Sequence, residues 1–222
     1  MDMGHENHEQ NIMEQDYKQH LLEILLVRSF RYDPDKGFTL ASGEKSDVYI
    51  DVKKTALSPE GMQLIGYACY QEIKLAPVDA IGGLTLGADP IAYATAMVAN
   101  QYCKPVDVFI VRKEPKAHGT QQWIEGNLKP GANVVILEDV LTTGGSTIKA
   151  IKRAEEAGYN VIGVLALVDR EEGGVAYVLK ECNCKVRSVF KKSELLELYK
   201  KDEEAKDKEK AKAAREAAKP VF

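Results

Sequence analysis

What this chain of 222 residues has little of already removes several classes of protein. No run of about 18 uninterrupted apolar residues occurs, so nothing in the sequence reads as a transmembrane span. Positive charge is not in excess. Lys and Arg number 30 against 34 Asp and Glu, a formal net charge of −4, so no global field attracts nucleic acid. Any anion must be held by local groups. Cysteine is sparse: Cys69, Cys103, Cys182 and Cys184. The Cys182-Asn-Cys184 pair has no histidine near it in sequence and falls short of the four ligands that zinc usually takes, so free thiols are expected. Residues 1–16 are polar and lack a signal peptide's apolar segment, and the chain reads as cytosolic. Against these absences, 45% hydrophobic content suits a soluble globular protein with a full core, most simply one domain.

Local patterns place the elements. Leu21, Leu22, Leu25, Leu26 and Phe30 recur at helical spacing over 17–30. Residues 38–51 hold two short extended pieces around Ser42-Gly43. Ser58-Pro59 combines an N-cap with a first-turn proline, predicting a helix to about Lys74. Strands are then expected at 78–82, 106–111, 133–137, 161–168 and 185–190. Helices are expected at 89–102, 145–157, 175–181 and 193–200. Continuous apolar strands alternating with amphipathic helices argue for an α/β domain, over 17–200, with a mostly parallel central sheet flanked by helices. Residues 1–16 read as a flexible extension and 201–222 as a charged tail without an apolar stripe. The polar stretch from Lys113 to Lys129 is long for a loop in a compact domain, which favours function over accident.

The most informative stretch runs from Val134 to Thr147, VVILEDVLTTGGST. A buried strand leads into Glu138 and Asp139, and a Thr/Gly/Ser loop then opens a helix. Ligands of parallel sheets lie beyond the carboxyl ends of the strands. Loop N–H groups and the helix N-terminus form an anion site, with hydroxyls of Thr142, Thr143, Ser146 and Thr147 as further donors. Glu138 and Asp139 are acceptors, suited to a vicinal diol rather than to phosphate. A phosphate beside a diol describes a ribose 5-phosphate. The stretch has neither the Gly-Lys-Ser/Thr of an ATP-binding loop nor a G-x-G-x-x-G.

This stretch resembles the signature that binds phosphoribosyl pyrophosphate (PRPP) in the type I phosphoribosyltransferases. Arg112-Lys113-Glu114-Pro115-Lys116-Ala117-His118-Gly119 is similar to the mobile catalytic loop of the orotate phosphoribosyltransferases. Its cations suit a departing polyanion, and His118 is able to donate a proton near neutral pH. Residues 39–51 resemble that family's N-terminal hood over the base, and 82–90 resemble its pyrophosphate loop. Asp169-Arg170 matches the position whose arginine holds the orotate carboxylate. The resemblance covers roughly residues 17–196.

It implies the type I fold with a small hood, drawn from about 17–55 and C-terminal elements. The implied reaction joins orotate and PRPP into orotidine 5′-monophosphate and pyrophosphate, in pyrimidine biosynthesis. Lys116, His118 and Asp139 would be catalytic. PRPP would be held by Arg112, Lys113, Lys116, His118, Glu138, Asp139 and the loop Val140, Leu141, Thr142, Thr143, Gly144, Gly145 and Ser146. Leu84, Thr85, Leu86 and Gly87 would face pyrophosphate, and Thr142, Arg170 and Tyr49 would face orotate. Mg²⁺ would arrive with PRPP, with no direct protein ligand, bridged at most by water to Glu138 and Asp139. A homodimer with shared sites is implied, with no nucleic-acid or membrane partner. Lysines found in many members are missing at Ala41 and in the pyrophosphate loop, and Lys53 or Lys54 is the candidate replacement. A purine phosphoribosyltransferase and a PRPP-binding regulator of the same fold remain the alternatives.

Overall fold

The computed structural model describes residues 3–39, 43, 45–115 and 122–217, with side chains between 16 and 210. In chain order the elements are α1 (Met3–Ser29), β1 (Phe30–Tyr32), β2 (Phe38–Thr39), β3 (Lys45–Ser46), β4 (Val48–Ile50), α2 (Lys53–Ala56) and α3 (Pro59–Ile73). They continue with β5 (Ala80–Leu84), α4 (Ala88–Gln101), β6 (Asp107–Val111), β7 (Ile124–Glu125), β8 (Asn133–Leu141) and α5 (Gly145–Glu156). The last are β9 (Asn160–Asp169), α6 (Gly174–Cys182), β10 (Val186–Lys191) and α7 (Lys192–Ala217).

Six strands form one sheet in the order β10-β9-β8-β5-β6-β7, parallel except for the antiparallel edge strand β7. Side chains alternate between its faces, as the period of two requires. On β8, Val135 and Leu137 join the core under α1, α3 and α4, with Leu21, Leu25, Ile65, Ile91 and Leu195. Val134 and Ile136 point the other way, into the core under α5 and α6 with Phe109, Ile148, Ile151 and Val178. Burial on both faces explains why these strands read as unbroken apolar runs. The hood is two small antiparallel pairs, β1 with β4 and β2 with β3. It is joined to the body where Asp51 N donates to Ser29 O and the Ser29 and Thr55 hydroxyls bond at 2.7 Å.

The expected elements are present, and their lengths differ at the ends. The Ser58 side chain accepts from Gly61 N and caps α3 as its sequence predicts. Helix α1 begins at Met3 rather than Tyr17, so backbone helix extends through the stretch expected to be flexible. Its buried anchors are Leu21, Ile24 and Leu25, and Phe30 belongs to β1. Helix α7 runs on to Ala217, beyond Lys200. Buried Leu195 anchors its start, and i,i+4 pairs such as Lys201–Glu197 and Lys206–Asp202 line its exposed length. The short β1, α2 and β7 escaped the sequence pattern because none reaches two helical turns or a full alternation.

Helices α3 and α4 approach closely at Gly66, where an added Cβ would lie 2.6 Å from Ala94 O and 3.1 Å from Val98 Cγ2. Gly66→Ala is expected to destabilise the fold by about 1–3 kcal/mol through overpacking. The measurement is a lower urea midpoint at unchanged slope.

Candidate active site

Strand order reverses beside β5. The chain leaves β5 for β6 on one side, and β8 then takes the other side. The loops following β5 and β8 diverge there, and such a switch point opens a ligand crevice at the strands' carboxyl ends. One wall is the loop after β5, from Leu84 to Gly87. Thr85 N donates to Val111 O, and Thr85 Oγ1 donates to Asp89 Oδ2 at 2.6 Å. Asp89 itself is buried in the first turn of α4, where a carboxylate suits the helix N-terminus. The other wall is the loop from Thr142 to Gly145. Gly144 has φ +87°, a left-handed conformation that glycine adopts freely, and a Cβ there would lie 2.9 Å from Val178 Cγ2. Gly145, the first residue of α5, faces open space.

Strand β8 continues to Leu141, so Glu138 and Asp139 lie inside a strand rather than beyond its end. The two carboxylates stay close enough for Asp139 to raise the pKa of Glu138, yet they meet different partners. Glu138 turns toward α5. Its Oε2 accepts from Ser146 Oγ at 2.8 Å and Thr147 Oγ1 at 2.7 Å, stitching the loop to the strand. In this conformation those two hydroxyls are engaged by Glu138 rather than offered to an anion, as the sequence suggested, and Thr147 is fully buried. Asp139 turns toward α4 and stays partly exposed. An added Cβ on Gly87 would meet its Oδ1 at 2.5 Å and push the Asp139 carboxylate aside.

The hood closes on the same place. Lys53 Nζ pairs with Asp51 Oδ1 at 2.8 Å and lies 3.8 Å from Asp139 Oδ2. Burial works to lower the Lys53 ammonium pKa, but the bond from Asp51 and the charges of Asp139, Asp51 and Tyr49 outweigh it, for a net rise. Of the two candidate lysines, the fold brings Lys53 to Asp139, and Lys54 is exposed. Tyr49 is 37% exposed, its ring 5.7 Å from Phe38. It points away from buried Val48 and Ile50, so it is not a core aromatic.

Arg170 follows β9. Its backbone N donates to Leu141 O, which places it beside the loop after β8. The side chain is 3% exposed and strongly engaged. Nε donates to Glu172 Oε1 at 3.0 Å, and Nη2 donates to Ser46 Oγ at 3.0 Å and Val48 O at 3.1 Å. Arg112 stands at the end of β6, its Nη1 bonded to Glu125 Oε1 at 3.0 Å, and Lys113 next to it is exposed. Lys116, His118 and Ala41 lie outside the described residues. Asp51 and Ser46 are site neighbours that motif reading assigned no role, and Glu172 is one of the two carboxylates that could pair with Arg170 in place of a substrate. Contacts with Lys53 and Arg170 single them out.

Burial pushes the Glu138 carboxyl up to about 7, against the hydroxyl bonds of Thr147 and Ser146 and with the neighbouring Asp139 charge adding to the rise. A raised carboxyl pKa stabilises the fold most below the unfolded value of 4.5. That contribution is lost as pH rises from there through about 7. Glu138→Gln should therefore gain about 3 kcal/mol relative to the parent chain at pH 8 and nothing at pH 4. Urea melts at both pH values test this, and a gain independent of pH would refute the assignment.

Comparison with known proteins agrees with this geometry. Residues 59–199 match the phosphoribosyl transferase domain family. The chain is 49% identical over 179 residues to the orotate phosphoribosyltransferase of Aquifex aeolicus (strain VF5), covering 81% of this chain and 97% of that one. Among solved structures, orotate phosphoribosyltransferase of Mycobacterium tuberculosis H37Rv in complex with Fe(III) dicitrate superposes with TM-score 0.70 at 34% identity, covering 81% and 98% of the two chains. The same Mycobacterium tuberculosis enzyme in complex with PRPP gives TM-score 0.66 at 31% identity, with the same coverage. With its switch-point loops, acidic strand and hood in these positions, the chain belongs to the orotate phosphoribosyltransferases of the phosphoribosyl transferase domain family.

Proposed function

We propose that this chain transfers the phosphoribosyl group of PRPP to orotate, giving orotidine 5′-monophosphate and pyrophosphate in pyrimidine biosynthesis. The observation that carries this reading is Asp139. Its carboxylate sits where the two anion-binding loops and the hood converge, against Gly87 and 3.8 Å from Lys53. A relative of the same fold is a complex with PRPP.

The 5′-phosphate takes the loop from Thr142 to Ser146 and the open N-terminus of α5. Asp139 accepts from the ribose hydroxyls. Glu138 holds the loop in shape from beneath, and its share in the ribose contact is indirect. Leu84 to Gly87 leave room for the diphosphate. Tyr49 lies against the base, and Arg170 meets its carboxylate. Arg112, Lys113, Lys116 and His118 supply positive charge and a proton donor for the departing pyrophosphate. Fixing the phosphate far from the breaking bond positions the reacting carbon.

No group of three metal-ligating side chains occurs among the described residues, and Asp139 is a hard oxygen donor suited to the water shell of Mg²⁺. Mg²⁺ brought by PRPP would neutralise charge as the bond to pyrophosphate breaks. A homodimer with shared sites completes this reading. Tyr93 and Met97 are exposed one helical turn apart on α4, an apolar face suited to a second copy.

Falling orotate absorbance with PRPP and Mg²⁺ is the direct test. Asp139→Asn should lower kcat/KM for PRPP at least about tenfold with the melting temperature retained. Pyrophosphate release with a purine base instead, or none with any base, would replace the proposal by a purine enzyme or a PRPP-binding regulator.

Site sharing has its own test. Inactive Lys116→Ala and Asp139→Asn chains are unfolded and refolded together. If each site takes Lys116 from one copy and Asp139 from the other, a mixed dimer holds one doubly damaged site and one intact site. Activity should then return to about a quarter of wild type. If each copy uses its own loop, no activity returns.

A further inference from the structure

A cationic side chain as buried as Arg170 needs a counter-charge. Glu172 supplies it, with Oε1 3.0 Å from both Nε and Nη2. Together with Ser46 Oγ and Val48 O, this contact occupies the Nε and Nη2 edge of the guanidinium. Nη1 makes no hydrogen bond among the described residues. A second cation faces the same carboxylate: Lys192 Nζ, at the start of α7, lies 3.6 Å from Glu172 Oε1. The start of α7 is held in place, because Ser193 N donates to Glu171 Oε2 at 2.9 Å. Arg170 and Lys192 thus share Glu172 before any substrate arrives, with Glu171 alongside at the start of α7.

We propose that Glu172 and Lys192 form a charge-exchange pair that sets how tightly the site takes a base bearing a carboxylate. The inference rests on the reading that Arg170 meets the orotate carboxylate. In the empty site Glu172 satisfies Arg170. When the substrate carboxylate reaches Arg170, two like charges share one guanidinium and repel. Lys192 draws the charge of Glu172 toward α7 and leaves Arg170 to the substrate. Glu172 thus weakens carboxylate binding and Lys192 strengthens it, from positions 3.6 Å apart.

Opposite signs from adjacent residues are what a purely structural role would not produce. Glu172→Gln keeps the shape and an acceptor oxygen, and should lower the orotate KM by roughly three- to tenfold. Lys192→Met should raise it by a similar factor. The KM for PRPP, and inhibition by uracil, which lacks the carboxylate, should stay constant in both variants. Shifts of one sign in both variants, no shift in either, or equal shifts for uracil would overturn the proposal. Arg170→Lys and Arg170→Ala test the underlying reading separately. If neither raises the orotate KM more than the PRPP KM, that reading falls and the exchange pair falls with it. If they do and the Glu172 and Lys192 variants are inert, only the exchange pair falls. If Arg170→Ala does not fold, Arg170→Lys decides.

Discussion

The site depends on one buried guanidinium. Arg170 ties together three segments that are distant in sequence: the hood through Ser46 and Val48, the turn after β9 through Glu172, and the end of β8 through its own backbone N–H to Leu141. Breaking such a contact on one side leaves a charge in a low-dielectric place, which is far more destabilising than losing a surface pair. The hood itself is small, two short strand pairs, and one of them sinks Phe30, Val48 and Ile50 into the main core. Its position over the sheet is set by that apolar contact together with Arg170 at one end and the Ser29–Thr55 and Lys53–Asp51 contacts at the other.

A second constraint acts through strand geometry. The end of β8 places two adjacent carboxylates close enough to influence each other but beside different partners, and each takes the chemistry of its surroundings. Glu138 enters a nearly dry pocket and becomes a scaffold for two hydroxyls. Asp139 stays partly exposed beside Lys53. Two residues adjacent in the motif thus differ in burial and in partners.

The layered α/β fold was legible because strands buried on both faces and helices with one apolar stripe leave different periods in the sequence. The strand–loop–helix from Val134 to Thr147 was legible because it joins a strand, acids, hydroxyls and glycines in one continuous stretch. Less was visible wherever the arrangement depends on segments far apart. That Arg170 is anchored by Ser46 and Val48 requires residues more than 120 positions apart to meet. That Lys53 reaches Asp139 depends on how the hood folds back. The inward turn of Glu138 was not recoverable from period alone, since Val140 and Leu141 fall in the opposite cores from those that strict alternation along β8 would give. Helix α1 before Tyr17 has no apolar stripe to announce it, so polar composition read as an absence of structure.

The sheet's two margins have a consequence for how copies of this chain meet. A long free strand invites another strand to add beside it. Here β7, only two residues long and braced by the Arg112–Glu125 ion pair, closes one margin. On the other, β10 carries Arg187, which reaches Glu72, and Lys191, and leads directly into α7. Charge and brevity make both margins poor templates for strand addition, and so for the continuous intermolecular sheets that lead to fibrils.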